Sequence, residues 1–145
     1  MTFTIQNAGT NALGPGGGSL GYGWNGSGVT QSVAVKFDLF PNVSEGWDST
    51  GIYTNGASPT TPFVDMTNTG IDLHSGHVLN VHMSYDGSNL AMSITDNVVN
   101  KSFSTSWPIN IPATVGGNTA FVGFTGGTGG NTAIQDILNW TYGTP

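Results

Sequence analysis

Three observations predict an all-β sandwich. No stretch of ten or more residues carries the i, i+3, i+4, i+7 apolar period of an amphipathic helix, short runs alternate apolar and polar residues, and Gly, Asn and Pro punctuate those runs. Gly, Thr, Asn and Ser make up nearly half of the 145 residues, and only two basic and eight acidic side chains are present. Long solvent-facing helices normally carry many more Lys and Glu. The apolar fraction is 37%, with four Trp, four Tyr and seven Phe, so the chain has the material for one domain with its own core.

Each element has its own signal. Thr2–Gln6 alternates and reads as a first strand. Residues 31–40 read as a long strand, with Val33, Val35, Phe37 and Leu39 on one face and Ala34, Lys36, Asp38 and Phe40 on the other. Lys36, Asp38 and Phe40 therefore share a face that is a candidate site. Leu79–Tyr85 and residues 90–95 flank Asp86-Gly87-Ser88-Asn89, whose composition predicts a hairpin turn. Residues 101–107, 120–124 and 137–142 complete the set, spaced as in a β-sandwich. The longest loops are residues 14–28 and 126–131. Six glycines between positions 14 and 23 exceed what turns need, and they permit close backbone approach by a ligand or a neighbouring loop, or simple flexibility.

Composition excludes several functions. Two Lys, no Arg and a net charge of -6 leave no basic surface for a nucleic-acid backbone. Absence of cysteine removes disulfides, thiol nucleophiles and cysteine metal clusters. No run of 18 apolar residues and no charged-then-apolar start predicts a membrane span or an export signal within the chain. The Thr, Asn and Ser-rich, weakly charged surface suits an extracellular or cell-surface protein that handles glycans.

Four groups of residues resemble catalytic or metal motifs. Gly17-Gly18-Ser19-Leu20-Gly21 has the G-x-S-x-G spacing, yet a nucleophile elbow requires a strand before the serine and a helix after it. Gly16, Gly18 and Gly21 satisfy G-x-G-x-x-G and fail for the same missing helix. His74 and His77 fall in a turn and His82 on a strand, with no carboxylate spaced to complete a facial metal set, so they read as turn and surface histidines. Glu45 with Asp48 on one short loop, or with Asp38, is the pairing that would have to serve a glycoside hydrolase, whose chemistry needs two opposed carboxyl groups.

Three segments together resemble the legume-type (L-type) lectin family, and specifically its bacterial relatives. Thr2-Phe3-Thr4-Ile5-Gln6-Asn7 with the glycine loop and Leu20-Gly21-Tyr22 is the first. Ser32-Val33-Ala34-Val35-Lys36-Phe37-Asp38-Leu39-Phe40-Pro41-Asn42 is similar to the V-A-V-E-F-D-T-[YF]-x-N metal strand. Val122-Gly123-Phe124-Thr125-Gly126-Gly127-Thr128-Gly129-Gly130 with Gln135-Asp136-Ile137-Leu138-Asn139-Trp140 is similar to the G-F-S-A-x-T-G loop and the closing D-I-L-x-W strand.

The resemblance implies a concanavalin-like jelly-roll sandwich spanning residues 1–145 and non-catalytic sugar binding. Gly17, Gly18, Asn42, Trp47, Gly129, Gly130 and Asn131 are then expected around a shallow sugar site, with Trp47 offering a stacking face and Asn42 a donor and an acceptor. It also implies metal ligands at Asp38, Phe40, Asn42 and Asp48. Lys36, however, replaces the family's Glu, and Ser49-Thr50-Gly51-Ile52 stands where H-I-G-I is expected. No transition metal is therefore expected; calcium on Asp38, Phe40, Asn42 and Asp48 is one alternative, and a Lys36 pair with Asp38 or Asp48 that holds the loop is the other. The family's sugar-contacting Asp precedes the strand matched by Thr2–Gln6, so the chain reads as truncated at the N-terminus, with open strand edges that invite a homo-oligomer. A glycoside hydrolase using Glu45 and Asp48, and an assembly module of a bacterial surface protein, are the competing readings.

Overall fold

A computed structural model describes residues 1–143. Ten strands build it: β1 (Thr2–Gln6), β2 (Gly23–Trp24), β3 (Ser27–Gly28), β4 (Ser32–Asp38), β5 (Ser49–Thr54), β6 (Val64–Asp65), β7 (Leu79–Tyr85), β8 (Asn89–Asp96), β9 (Lys101–Pro108) and β10 (Phe121–Thr125). A five-stranded antiparallel sheet has the order β10-β1-β4-β5-β6, and a three-stranded sheet has β7-β8-β9; β2 and β3 form a separate small ribbon.

The two larger sheets form the sandwich predicted from the alternation. Val33 and Val35 of β4 pack against Leu90 and Met92 of β8, with Ile5, Phe37, Ile52, Phe103 and Trp107 around them. The opposite face of β4 carries Ala34, Lys36 and Asp38, all buried, because the glycine loop folds over Ala34 and the 41–48 loop over Lys36 and Asp38. Tyr22 and Val29 from that loop close on Ala34 and Tyr53 to make a second core. The five-stranded sheet is thus covered on both faces, and the face carrying Lys36 lies beneath a loop.

The β7–β8 hairpin forms as expected. Asp86 Oδ1 accepts from the backbone N–H of Ser88 at 2.8 Å and of Asn89 at 2.7 Å, which fixes the turn and holds the Asp86 carboxyl low, at about 2.

Four expectations change. The long strand stops at Asp38, because the Asp38 carboxylate accepts from the Phe40 N–H at 3.3 Å and turns the chain; Gln31, at φ 46°, cannot extend it backwards. Residues 137–142 are not a strand: β10 pairs along one edge with β1, and no described strand lies beside the later segment to share a ladder. It is held instead by Trp140 against Phe124, with ring centroids 5.6 Å apart. A short helix α1 (Ile111–Val115) had no sequence signal of helical period; Asn110 caps it by accepting from the Ala113 N–H, and burial of Ile111 and Val115 in the core fixes it. Finally, β5 was not anticipated, since its Ser-Thr-Gly start lacks strand character.

Candidate functional site

The glycine loop meets the 126–131 loop backbone to backbone. Gly17 N–H donates to the Thr128 carbonyl at 3.0 Å, and Thr125 Oγ1 donates to the Leu20 carbonyl at 2.9 Å. Gly21 adopts φ 69°, and a Cβ there would lie 2.5 Å from the Gly126 carbonyl oxygen. Of the uses open to these glycines, close approach to a neighbouring loop is the one realised. Ser19 is buried in a 3-10 turn over Gly17–Ser19, and no histidine bonds to its hydroxyl among the described residues, so the G-x-S-x-G spacing has no base.

Asn42 stands at this junction. A Cβ on Gly18 would come within 2.8 Å of Asn42 Oδ1, so the asparagine occupies space that only glycine leaves open. The Asn42 amide donates to Phe40 O and to Glu45 Oε1, both at 3.3 Å, which fixes its orientation. Gly17, Gly18, Asn42 and Gly129 are therefore brought together, with Gly130 and Asn131 exposed on the adjoining turn. Trp47 is 57% exposed and reaches this group only through Phe40, with ring centroids 6.1 Å apart.

Below Asn42 lies an ion pair. Lys36 and Glu45 are both fully buried, and Lys36 Nζ donates to Glu45 Oε2 at 2.6 Å and to Asp38 Oδ2 at 3.5 Å. Glu45 Oε1 in turn accepts from the Asn42 backbone N–H at 3.2 Å. The Tyr53 ring lies 5.8 Å from the ammonium, and burial together with the Glu45 and Asp38 charges pushes the Tyr53 hydroxyl's pKa up. Ser49 Oγ, across the β4–β5 ladder from Asp38, is buried with no hydrogen-bond partner among the described residues.

These contacts revise three expectations. Lys36 pairs with Glu45 and Asp38, not with Asp48, because Glu45 rather than Asp48 folds back over β4. A metal ion held by Asp38, Phe40, Asn42 and Asp48 does not fit: the Lys36 ammonium already sits against Asp38, and Asp48 is turned elsewhere, accepting from the Leu73 N–H at 2.8 Å. Glu45 and Asp48 do not face a common substrate either, since Glu45 is bound to Lys36 and Asn42 while Asp48 faces His74 at 3.3 Å.

The three histidines stand in three different settings. Asp48, Asp72 and His74 each offer a ligand atom, all within 4.8 Å of one another. The sequence places Asp48 and His74 26 residues apart, so only the packing of the 72–74 turn against the 45–48 loop makes the set visible. His77 lies in a different environment, with Nδ1 2.7 Å from buried Asp96. That bond is the largest cause of the lowered Asp96 pKa, with the N–H groups of Val98 and Val99 adding to it. His82 projects from the outer face of β7 and is exposed.

A two-sheet antiparallel sandwich, with a glycine loop, an oriented asparagine and a second glycine-rich loop meeting over its larger sheet, defines a lectin-type domain. A family model described as the legume lectin domain matches residues 1–145, and the chain belongs to that family, with its concanavalin-like sandwich. It is similar to two Arabidopsis thaliana proteins, the L-type lectin-domain containing receptor kinases VIII.1 and VIII.2. Identity is 33% over 91% of this chain for the first and 32% over 90% for the second. A third, L-type lectin-domain containing receptor kinase I.7, is 31% identical over 81% of the chain. The chain spans about a fifth of the length of each of these relatives.

Proposed function

We propose that residues 1–145 form one non-catalytic carbohydrate-binding domain, whose shallow site is the junction of Gly17, Gly18, Asn42 and the 126–131 loop, with Trp47 beside it. The observation that carries this reading is the seating of Asn42. Its amide N–H groups are held by Phe40 and Glu45 while its side chain lies against Gly18, so the Oδ1 acceptor stands ready for a sugar hydroxyl without reorganisation. Exposed Trp47 and Phe40 add apolar ring surface of the kind a pyranose stacks on. Membership of the lectin family supports sugar as the ligand class.

In this reading the buried Lys36 ammonium holds the 41–48 loop by drawing Glu45 and Asp38 together, the role an ion plays on the related metal strand. The hydrolase alternative loses its support, since its two carboxylates serve different partners. The domain works outside the cell or at its surface. It pairs with a second copy through the outer edges of β7, β9 and β10, which no described strand covers.

A glycan array with purified chain, scored for retention and for released reducing ends, tests the proposal. Wild type should retain a subset of glycans and release none. Gly18→Val and Asn42→Ala should lower retention at least tenfold while the melting temperature stays within a few degrees. Retention unchanged in both variants, or release of reducing ends, would overturn it.

A further inference from the structure

Residues 132–142 follow β10 outside any strand or helix, and among the described residues none of their backbone N–H or C=O groups bonds to another backbone group. Their large apolar side chains are open to solvent, from 42% for Ile137 to 67% for Leu138. The run Asp136-Ile137-Leu138-Asn139-Trp140-Thr141-Tyr142 nevertheless alternates as a strand does, with Leu138, Trp140 and Tyr142 on one face. We infer that residues 136–142 of one copy add as a strand to the outer edge of β9 in a second copy, reciprocally, so that the pair closes as a two-fold dimer. Such an exchange rests on the two-copy pairing proposed above and gives it a strand, an edge and a register.

The β9 edge is an unfinished margin of the core. Leu90, Met92 and Ile94 of β8 are buried, and their ladder partners on β9 are Trp107, Thr105 and Phe103. Those three are only partly buried, although Phe103 and Trp107 pack on the same core, because β9 has no strand on its other side. A further strand with an apolar row would complete this face.

Charge selects both the edge and the register. The chain carries a net charge of -6, so two copies repel unless a cation meets an acid at their contact. Lys36 is sealed against Glu45 and Asp38, whereas Lys101 is exposed at the start of β9 and makes no ion pair among the described residues. Asp96, its ladder partner on β8, is engaged instead by His77 and by the N–H groups of Val98 and Val99. Asp136 is exposed and is the one charged residue between 132 and 142. A parallel pairing that sets Asp136 opposite Lys101 brings Leu138 beside Phe103, Trp140 beside Thr105 and Tyr142 beside Trp107. The ion pair and the apolar row therefore coincide in one register, and a slip by one residue would turn the row to solvent. Antiparallel pairing over the same residues would carry Asp136 to Trp107, away from the cation. The free edges of β7 and β10 have no Lys or Arg, and His82 lies on the face of β7 opposite Val81 and Met83. Moving the segment gives up the contact of Trp140 with Phe124, two partly exposed rings, and no backbone hydrogen bond.

The test is sedimentation equilibrium of the purified chain from micromolar to submillimolar concentration, with amide hydrogen exchange followed in parallel. Wild type should dimerise, and exchange at residues 136–142 should slow as the dimer fills. Lys101→Asp and Asp136→Lys each set like charges together twice per dimer and should weaken it at least tenfold, with melting curves showing that both variants fold. An equimolar mixture of the two should dimerise again, because each tail then meets the opposite charge on the other chain's β9. A wild-type chain that stays monomeric would overturn the exchange and the two-copy pairing together. A dimer indifferent to both reversals, or a mixture of folded variants that stays monomeric, would overturn the exchange alone.

Discussion

Lys36 Nζ lies 2.6 Å from Glu45 Oε2 with both side chains entirely buried, so the ammonium and carboxylate form the sealed base of the loop that carries Asn42. An ion pair of this kind contributes little net stability against an apolar substitute, but it cannot be halved without cost. Lys36→Met strands the Glu45 charge and should destabilise the fold by about 3–5 kcal/mol. Lys36→Met combined with Glu45→Gln should recover most of that loss. Urea unfolding of the three proteins measures both steps, and equal stability of the single variant and wild type would contradict the pairing.

Gly21 tests whether the sugar junction depends on the close approach of two loops. Gly21→Ala places a methyl group 2.5 Å from the Gly126 carbonyl oxygen at φ 69°. The strain should cost about 1–3 kcal/mol. Glycan retention should fall with it, and thermal melts alongside array binding would show the two effects together.

Tyr22 ties the glycine loop to the sheet. It is fully buried, its hydroxyl hydrogen-bonds Ser32 Oγ at 2.8 Å, and it accepts from the Gly56 N–H at 3.3 Å. Tyr22→Phe keeps the packing but leaves the Gly56 N–H without its partner and Ser32 Oγ with only the Val29 carbonyl, at an expected loss of about 1–3 kcal/mol by denaturant titration.

Asp96 should make stability sensitive to acid. Its pKa is lowered in the fold, first by the His77 hydrogen bond, so the unfolded chain takes up the proton more readily than the folded one. The resulting stabilisation is present above about pH 4, the ordinary Asp value, and fades as pH falls through the lower folded value. Asp96→Asn should therefore be less stable than wild type at pH 6, and the gap should close toward pH 2. A gap that stays constant from pH 6 to pH 2 would remove the carboxylate from the account.

Much of the fold was legible in the chain. Period-two alternation located β1, β4, β7, β8, β9 and β10 to within two residues, and assigned Val33, Val35 and Phe37 to one face and Lys36 and Asp38 to the other. Alternation works because a strand's geometry is local. The short helix α1 and strand β5 were not legible, since burial against distant partners rather than intrinsic preference stabilises them. The same limit applied to residues 137–142, whose strand-like composition has no ladder to join.

For the site, the sequence by itself determined which chemistry was available: a lysine where the related strand has a carboxylate, no cysteine, no arginine, and glycines wherever two backbones had to touch. Only the tertiary structure decided how those groups are shared out. Glu45 rather than Asp48 turns inward to Lys36, and that choice releases Asp48 to meet Asp72 and His74 from a turn far along the chain. The reason is physical: which carboxylate satisfies a buried ammonium depends on loop closure over the sheet, and no spacing along the chain records it.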